Sequence, residues 1–256
     1  AVTYETTPRS QDQIITTSAA YYAPRFDYDP STLAPRGLLV EEQRTNIQQY
    51  SQVLTTSNWA AVNATGATGS YAAPDGSNNA VLFTENSATA IHQYWYSGAQ
   101  TTTAAAYTVS VYAKLNSGSR YFTVYPQTTT VGWAIFDLSN GTVKASGGGA
   151  YLSNSITPVG NGWYRCSVTW TASAVVAYPT VFYLTNSSST PAPSYAGDGT
   201  SSVFLWGAQV EAGSFPTSYI PNLSNSTTTR TADVVTFAGV PLAALRKTPL
   251  TLAVEA

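Results

Sequence analysis

The chain has 256 residues, of which 43% are hydrophobic and only 9% charged, with a formal net charge of −2. That length and apolar share suit one large β domain, or one domain with extensions, and exclude a disordered polymer despite the many Thr, Ser and Ala residues. Soluble domains are usually about one quarter charged, so solubility must come from hydroxyls and amides. No basic cluster exists to displace counterions, so neither nucleic-acid nor anionic-membrane binding is expected.

The charges are also unevenly placed. Between Thr45 and Phe136 only Asp75, Glu85, Lys114 and Arg120 are charged, and from Cys166 to Gly197 nothing is. The single cysteine, Cys166, excludes an internal disulfide and any multi-cysteine metal site. There is no run of about 20 apolar residues, so no membrane insertion is expected.

In chain order, residues 1–35 read as an extended arm. Pro8, Pro24, Pro30 and Pro35 interrupt it, and Asp27-Tyr28-Asp29-Pro30 is a turn signal, because Asp caps turns and Pro fixes φ. Residues 36–55 hold the one candidate helix, a turn or two in which Leu38-Leu39-Val40 leads into Glu41, Glu42, Gln43 and Arg44. Strand patterns then take over, with 80–85 and 91–97 as an early pair. In 107–115, Tyr107, Val109, Val111, Ala113 and Leu115 face one way and Thr108, Ser110, Tyr112 and Lys114 the other. Strands at 121–125 and 131–138 follow, ending in the hairpin signal Ser139-Asn140-Gly141-Thr142. Further strands are expected at 163–171, 180–185 and 202–210.

About eight to ten strands separated by Gly, Asn and Pro clusters predict an all-β fold, a jelly-roll β-sandwich over 36–221. Residues 222–231 read as a Ser/Thr/Asn linker, and 232–256 as the beginning of a C-terminal β module.

Three ordered segments carry a family resemblance. The first is Pro24-Arg25-Phe26-Asp27-Tyr28-Asp29-Pro30 leading to Ala34-Pro35-Arg36-Gly37-Leu38-Leu39-Val40-Glu41-Glu42-Gln43-Arg44-Thr45-Asn46. The second is Val159-Gly160-Asn161-Gly162-Trp163-Tyr164-Arg165-Cys166. The third runs from Trp206-Gly207-Ala208-Gln209-Val210-Glu211 through Phe215-Pro216-Thr217-Ser218-Tyr219-Ile220-Pro221. Together they resemble a module of bacteriophage and prophage fibre proteins, of the head-spike or tail-fibre kind, over roughly residues 24–236. Its body is similar to the carbohydrate-binding jelly rolls attached to bacterial glycanases. The resemblance implies an extracellular virion component, a tail or head appendage. Its expected partners are other copies of itself in a trimer, other virion proteins and host-surface polysaccharide. Two alternatives stay open: a carbohydrate-binding module of a secreted bacterial protein, and a domain of a polysaccharide-degrading tailspike.

Little points to catalysis. A Ser–His–Asp triad would have to use His92, the one histidine. It alternates with Ile91 and Gln93 as a strand residue would, and no nucleophile-elbow motif accompanies it. Glycoside hydrolysis needs two carboxyl groups roughly 5–10 Å apart. The acidic candidates are Glu41, Glu42, Glu85, Asp137, Asp198 and Glu211, with Asp137 and Asp198 in turn signatures. Arg44 is expected to pair with Glu42 or Glu211. No catalytic residue is assigned and no cofactor is required. One ionic site is considered, a structural calcium held by Glu41, Asp198 and Glu211, although no spaced Asp/Asn loop is present.

Aromatics are the more informative group, with 18 Tyr and 6 Trp. Flat rings stack on the C–H faces of sugars, while amides and hydroxyls bind their OH groups. The candidate glycan contacts are Tyr94, Trp95, Tyr96, Tyr112, Tyr125 and Trp133. Trp163, Trp170 and Trp206 lie in strand patterns and are expected in the core, and Tyr is in any case a good strand residue.

Overall fold

The computed structural model describes residues 26–233 apart from 30, 31, 33, 53, 56, 57, 99, 101, 127–130 and 174–179. Within them every regular element is a strand, and no helix is long and apolar enough to cross a membrane. The first six-stranded sheet runs, in spatial order, β12 (Thr142–Gly147), β11 (Trp133–Asp137), β10 (Tyr121–Pro126), β15 (Thr180–Thr185), β8 (His92–Tyr96) and β4 (Trp59–Val62). The second, also six-stranded, runs β13 (Tyr151–Gly160), β14 (Trp163–Ala172), β9 (Ala105–Ser117), β17 (Ser202–Ala212), β6 (Val81–Glu85) and β5 (Ala64–Thr68). Three short ladders complete the fold: β1 (Phe26–Tyr28) with β2 (Pro35–Leu38), β3 (Arg44–Asn46) with β18 (Thr228–Arg230), and β7 (Thr89–Ala90) with β16 (Tyr195–Ala196). Pairing is antiparallel throughout, so the architecture is the expected all-β jelly-roll sandwich.

Period-2 alternation builds the core. Val109, Val111, Cys166, Val168 and Phe83 of the second sheet meet Phe122, Val124, Phe136, Phe182 and Leu184 of the first. Fully burying such a side chain contributes about 1.5–3 kcal/mol. Trp59 lies among them, stacked on Phe182 at 5.9 Å and on Tyr94 at 5.7 Å.

The second sheet is also covered in part on its outer side. Ala73, Ala80 and Tyr219 pack there on Tyr112, Trp163 and Trp206. Gly207, at φ +62°, makes this possible. It lies in the bulge of β17 against β9, where a side chain would collide with Tyr112.

The expected short helix within 36–55 is absent among the described residues, which form β2, β3 and turns. Asn46 supplies the reason. Its Oδ1 accepts from Gln48 N at 3.0 Å and Val210 N at 3.1 Å, while its Nδ2 donates to the Ile220 carbonyl at 2.8 Å. Local side-chain bonds of this kind compete with a helix. Residues 222–231, expected as a linker, carry β18 and are thereby tied to β3. Most of the expected arm at 1–35 and nearly all of the expected module at 232–256 lie outside the described residues.

Candidate aromatic face and the charged clusters

Four of the six tryptophans, Trp59, Trp163, Trp170 and Trp206, are at most 6% exposed. The other two, Trp95 and Trp133, are half-buried. Strand register puts both on the outer face of the first sheet. In β8, His92, Tyr94 and Tyr96 are buried, so Gln93 and Trp95 point the other way. Cross-strand pairs then define a row: Ala60 beside Trp95, Trp95 beside Val181, Val181 beside Tyr125. Val124 pairs with Ala134, which sets Trp133 next to Tyr125, and Trp133 in turn faces Gly147. A second row runs Val62, Gln93, Tyr183, Thr123, Ile135, Ala145.

Each indole has a distinct setting. Trp133 lies over Gly147, where an added Cβ would meet its ring at 3.1 Å. The Trp95 Nε1 donor is buried and has no hydrogen-bond partner. Between them Tyr183 meets Tyr125 edge-on at 5.6 Å, and burial, with Tyr125 as a smaller cause, pushes the Tyr183 hydroxyl up to about 12. At the far end of β10, Tyr121 carries the Lys144 ammonium 5.6 Å from its ring centre.

The structure corrects four of the six aromatic candidates. Tyr94 and Tyr96 point into the core, where their hydroxyls donate to the Leu54 carbonyl and to Gln49 Oε1. Tyr112 sits on the other sheet, buried against Trp206 and Tyr219. Tyr125 is on the right face but only 2% exposed. Its neighbour Thr123 donates to the Pro191 carbonyl at 3.0 Å, and Thr185 donates to the Thr190 carbonyl, so the 186–193 connection crosses this face. A ring with no open side offers a sugar nothing to stack on. Trp95 and Trp133 remain, joined by the half-buried Tyr121 and Tyr183, neither of them among the six candidates although both alternate outward in their strands.

The proposed calcium trio does not assemble. Glu41 accepts from Ser218 N at 2.7 Å and pairs with Arg230 at 3.0 Å. Glu211, fully buried, is saturated by Thr217 N, Thr217 Oγ1 and Gln209 Nε2 at 2.6–2.9 Å. Asp198 caps its own turn, accepting from Thr200 N, Ser201 N and Ser201 Oγ. The Ser201 hydroxyl, then these backbone donors, hold its carboxyl well below the usual range. These are hydrogen-bonded structural carboxylates, a donor set already spent. Among the described residues no group of three or more His, Cys, Asp or Glu side chains is placed to hold a metal ion.

Arg44 pairs with Glu42 at 2.5 Å, one of its two expected partners, and lies over the Phe215 ring. Buried Glu85 forms the other cluster. It accepts from Arg120 Nε and Nη2 at 3.0 and 2.9 Å, from Asp198 N at 2.9 Å, and from the Tyr195 hydroxyl. His92 lies against the Tyr195 ring, with Nδ1 2.7 Å from the Asn63 carbonyl and Nε2 3.4 Å from the Tyr195 carbonyl. Its ring nitrogens thus face two backbone carbonyls, which gives it the sheet-packing role expected of it.

No family model matches the chain, and no curated protein matches it. Several solved structures are similar. The CBM22-1 xylan-binding domain of Paenibacillus barcinonensis Xyn10C aligns at 11% identity over 68% of this chain and 94% of that one, with a TM-score of 0.38. TmCBM27, a mannan-recognising carbohydrate-binding module, aligns at 9% identity over 69% and 98%, with a TM-score of 0.33. The enzymatically active domain of bacteriophage CBA120 tailspike protein 4 aligns at 13% identity over 64% of this chain, which spans only 21% of that one, with a TM-score of 0.36.

Proposed function

We propose that this chain is a non-catalytic glycan-binding sandwich of an extracellular appendage, with the outer face of the first sheet as its binding surface. One observation carries the proposal: the two tryptophans that are not buried share one face of one sheet. Leaving a large indole half-open forfeits burial energy on the order of 1 kcal/mol or more, and stacking on a sugar ring would recover it. Gln93 and Tyr183, both half-buried, place an amide and a hydroxyl group beside the rings, as sugar hydroxyls require. The low charge of the chain fits a ligand bound by stacking and neutral hydrogen bonds.

The fibre context rests on the three segments described first. In this reading the sandwich is one module of a tail or head fibre, the stretches before 36 and after 231 join it to the rest of the particle, and copies associate as trimers. A carbohydrate-binding module of a secreted bacterial protein would use the same face in the same way, so oligomeric state separates the two. Sedimentation of the purified chain as a trimer supports the fibre, and a monomer supports the secreted module.

The binding face itself is tested on a glycan array with Trp95→Ala and Trp133→Ala. Each variant should lose at least about tenfold in affinity, about 1.4 kcal/mol, while keeping the β circular dichroism of the parent. Unchanged binding in both variants would refute the assignment of this face.

A further inference from the structure

The charges of the aromatic face lie at one end, where the exposed Lys144 on β12 lies above Tyr121 and the Asp137 side chain stands beside it. Four of the five described arginines are matched with carboxylates, Arg36 with Asp27 and Asp29, Arg44 with Glu42, Arg120 with Glu85 and Asp198, and Arg230 with Glu41, while the fifth, Arg165, donates to the Thr217 carbonyl and the Ser110 hydroxyl. Among the described residues Lys144 has no such ion pair, and nor does Lys114. Asp137, the outward neighbour of Tyr121, is held by Ser139 N, Ser139 Oγ and Asn140 Nδ2 at 2.6–3.0 Å and does not come within ion-pair distance of the lysine. Along the same strand Ala145 and Gly147 leave the surface low, and Trp133 lies across the latter. The half-buried Trp133 and the exposed Lys144 therefore share a shelf along the edge strand β12.

We infer that this shelf takes an acidic glycan, a polysaccharide carrying uronic or sialic acid units. Trp133 stacks one sugar ring, and the Lys144 ammonium pairs with a carboxylate further along the chain. Gly147 is three positions along the strand from Lys144, which at about 3.3 Å each is roughly 10 Å. The stacked ring and the charged group then belong to different sugars of one polymer. This inference rests on the proposed glycan-binding role and names its ligand class. The competing account is that Lys144 only guards an exposed sheet edge against self-association.

An array of acidic and neutral polysaccharides probed with the whole chain decides between them. Expected are acidic hits that weaken as salt rises. Lys144→Gln should lower binding to those hits about tenfold, Trp133→Ala should abolish it, and Lys114→Gln, on the other sheet, should leave it unchanged. Exclusively neutral hits, or acidic hits indifferent to Lys144→Gln, overturn the inference and leave the glycan-binding role standing. No hits of either kind sink both. Aggregation of Lys144→Gln with glycan affinity intact would assign the lysine to edge protection.

Discussion

Arg230 reaches back along the chain to Glu41, its Nη1 3.0 Å from the carboxylate, with both side chains nearly removed from solvent. The same guanidinium approaches the Ser218 and Glu42 carbonyls, while Glu41 accepts from Ser218 N. One ion pair thus joins the segment leading into β3, the strand β18 and the segment around Ser218. Breaking a buried pair by removing one partner costs about 3–5 kcal/mol, since the other charge is stranded. Arg230→Ala and Glu41→Gln should each lower the urea midpoint by that equivalent, and the double variant should lose much less than the sum. Additive losses would show that the two residues act separately.

Alkali should unfold the protein sharply. Burial raises the hydroxyls of Tyr94, Tyr195 and Tyr219 far above their ordinary range, and Tyr183 to about 12. A raised folded-state value means that stability is complete below the unfolded value, about 10, and falls as pH climbs toward the folded value. Titrating tyrosinate absorbance should therefore show a late cooperative step coincident with loss of β circular dichroism. A single smooth titration of all tyrosines around pH 10 would contradict this.

Acid should act through Asp198 and Asp137. Burial works against the Asp137 carboxylate, yet donors from Ser139 and Asn140 hold it below the usual range, and Asp198 is held lower still. Depressed values contribute stability above the unfolded value of about 3.9 and lose it as pH falls through the folded value. Asp198 is 41% exposed, so solvent screening makes its share modest. Melting temperature should be level from pH 7 to about 5 and decline below about 4. Asp198→Asn should start lower at pH 7 and decline less. If its slope in acid matched the parent, the capping role would be wrong.

Much of the layering was legible in the sequence. The alternation in 107–115 assigned inward and outward residues correctly for Val109, Val111 and Ala113. What alternation cannot report is whether an outward face stays open. Tyr112 and Trp95 both alternate outward, yet Tyr112 is covered by Tyr219 and Trp206, brought in by distant chain, while Trp95 is not. Tyr125 also alternates outward yet is only 2% exposed, with Tyr183 edge-on against it. The three fibre-like segments also had a structural meaning that their spacing did not show. Asn46, Arg165 and Glu211 converge on residues 217–220 through Ile220 O, Thr217 O and Thr217 N.

Gly147 offers a test of the binding face that leaves the indoles intact. Its missing side chain is what lets Trp133 lie across β12, with a Cβ contact that would be only 3.1 Å. Gly147→Val must therefore push the ring outward or sideways. The position is half-buried on an edge strand, and a β-branched residue suits a strand, so the folding penalty should stay below about 1 kcal/mol. Glycan affinity should nonetheless fall about as far as in Trp133→Ala, because the platform is tilted rather than removed. Tryptophan fluorescence should shift to longer wavelength as Trp133 gains water. Full affinity together with that shift would mean that the flat seating of Trp133 over the glycine is not what a sugar meets.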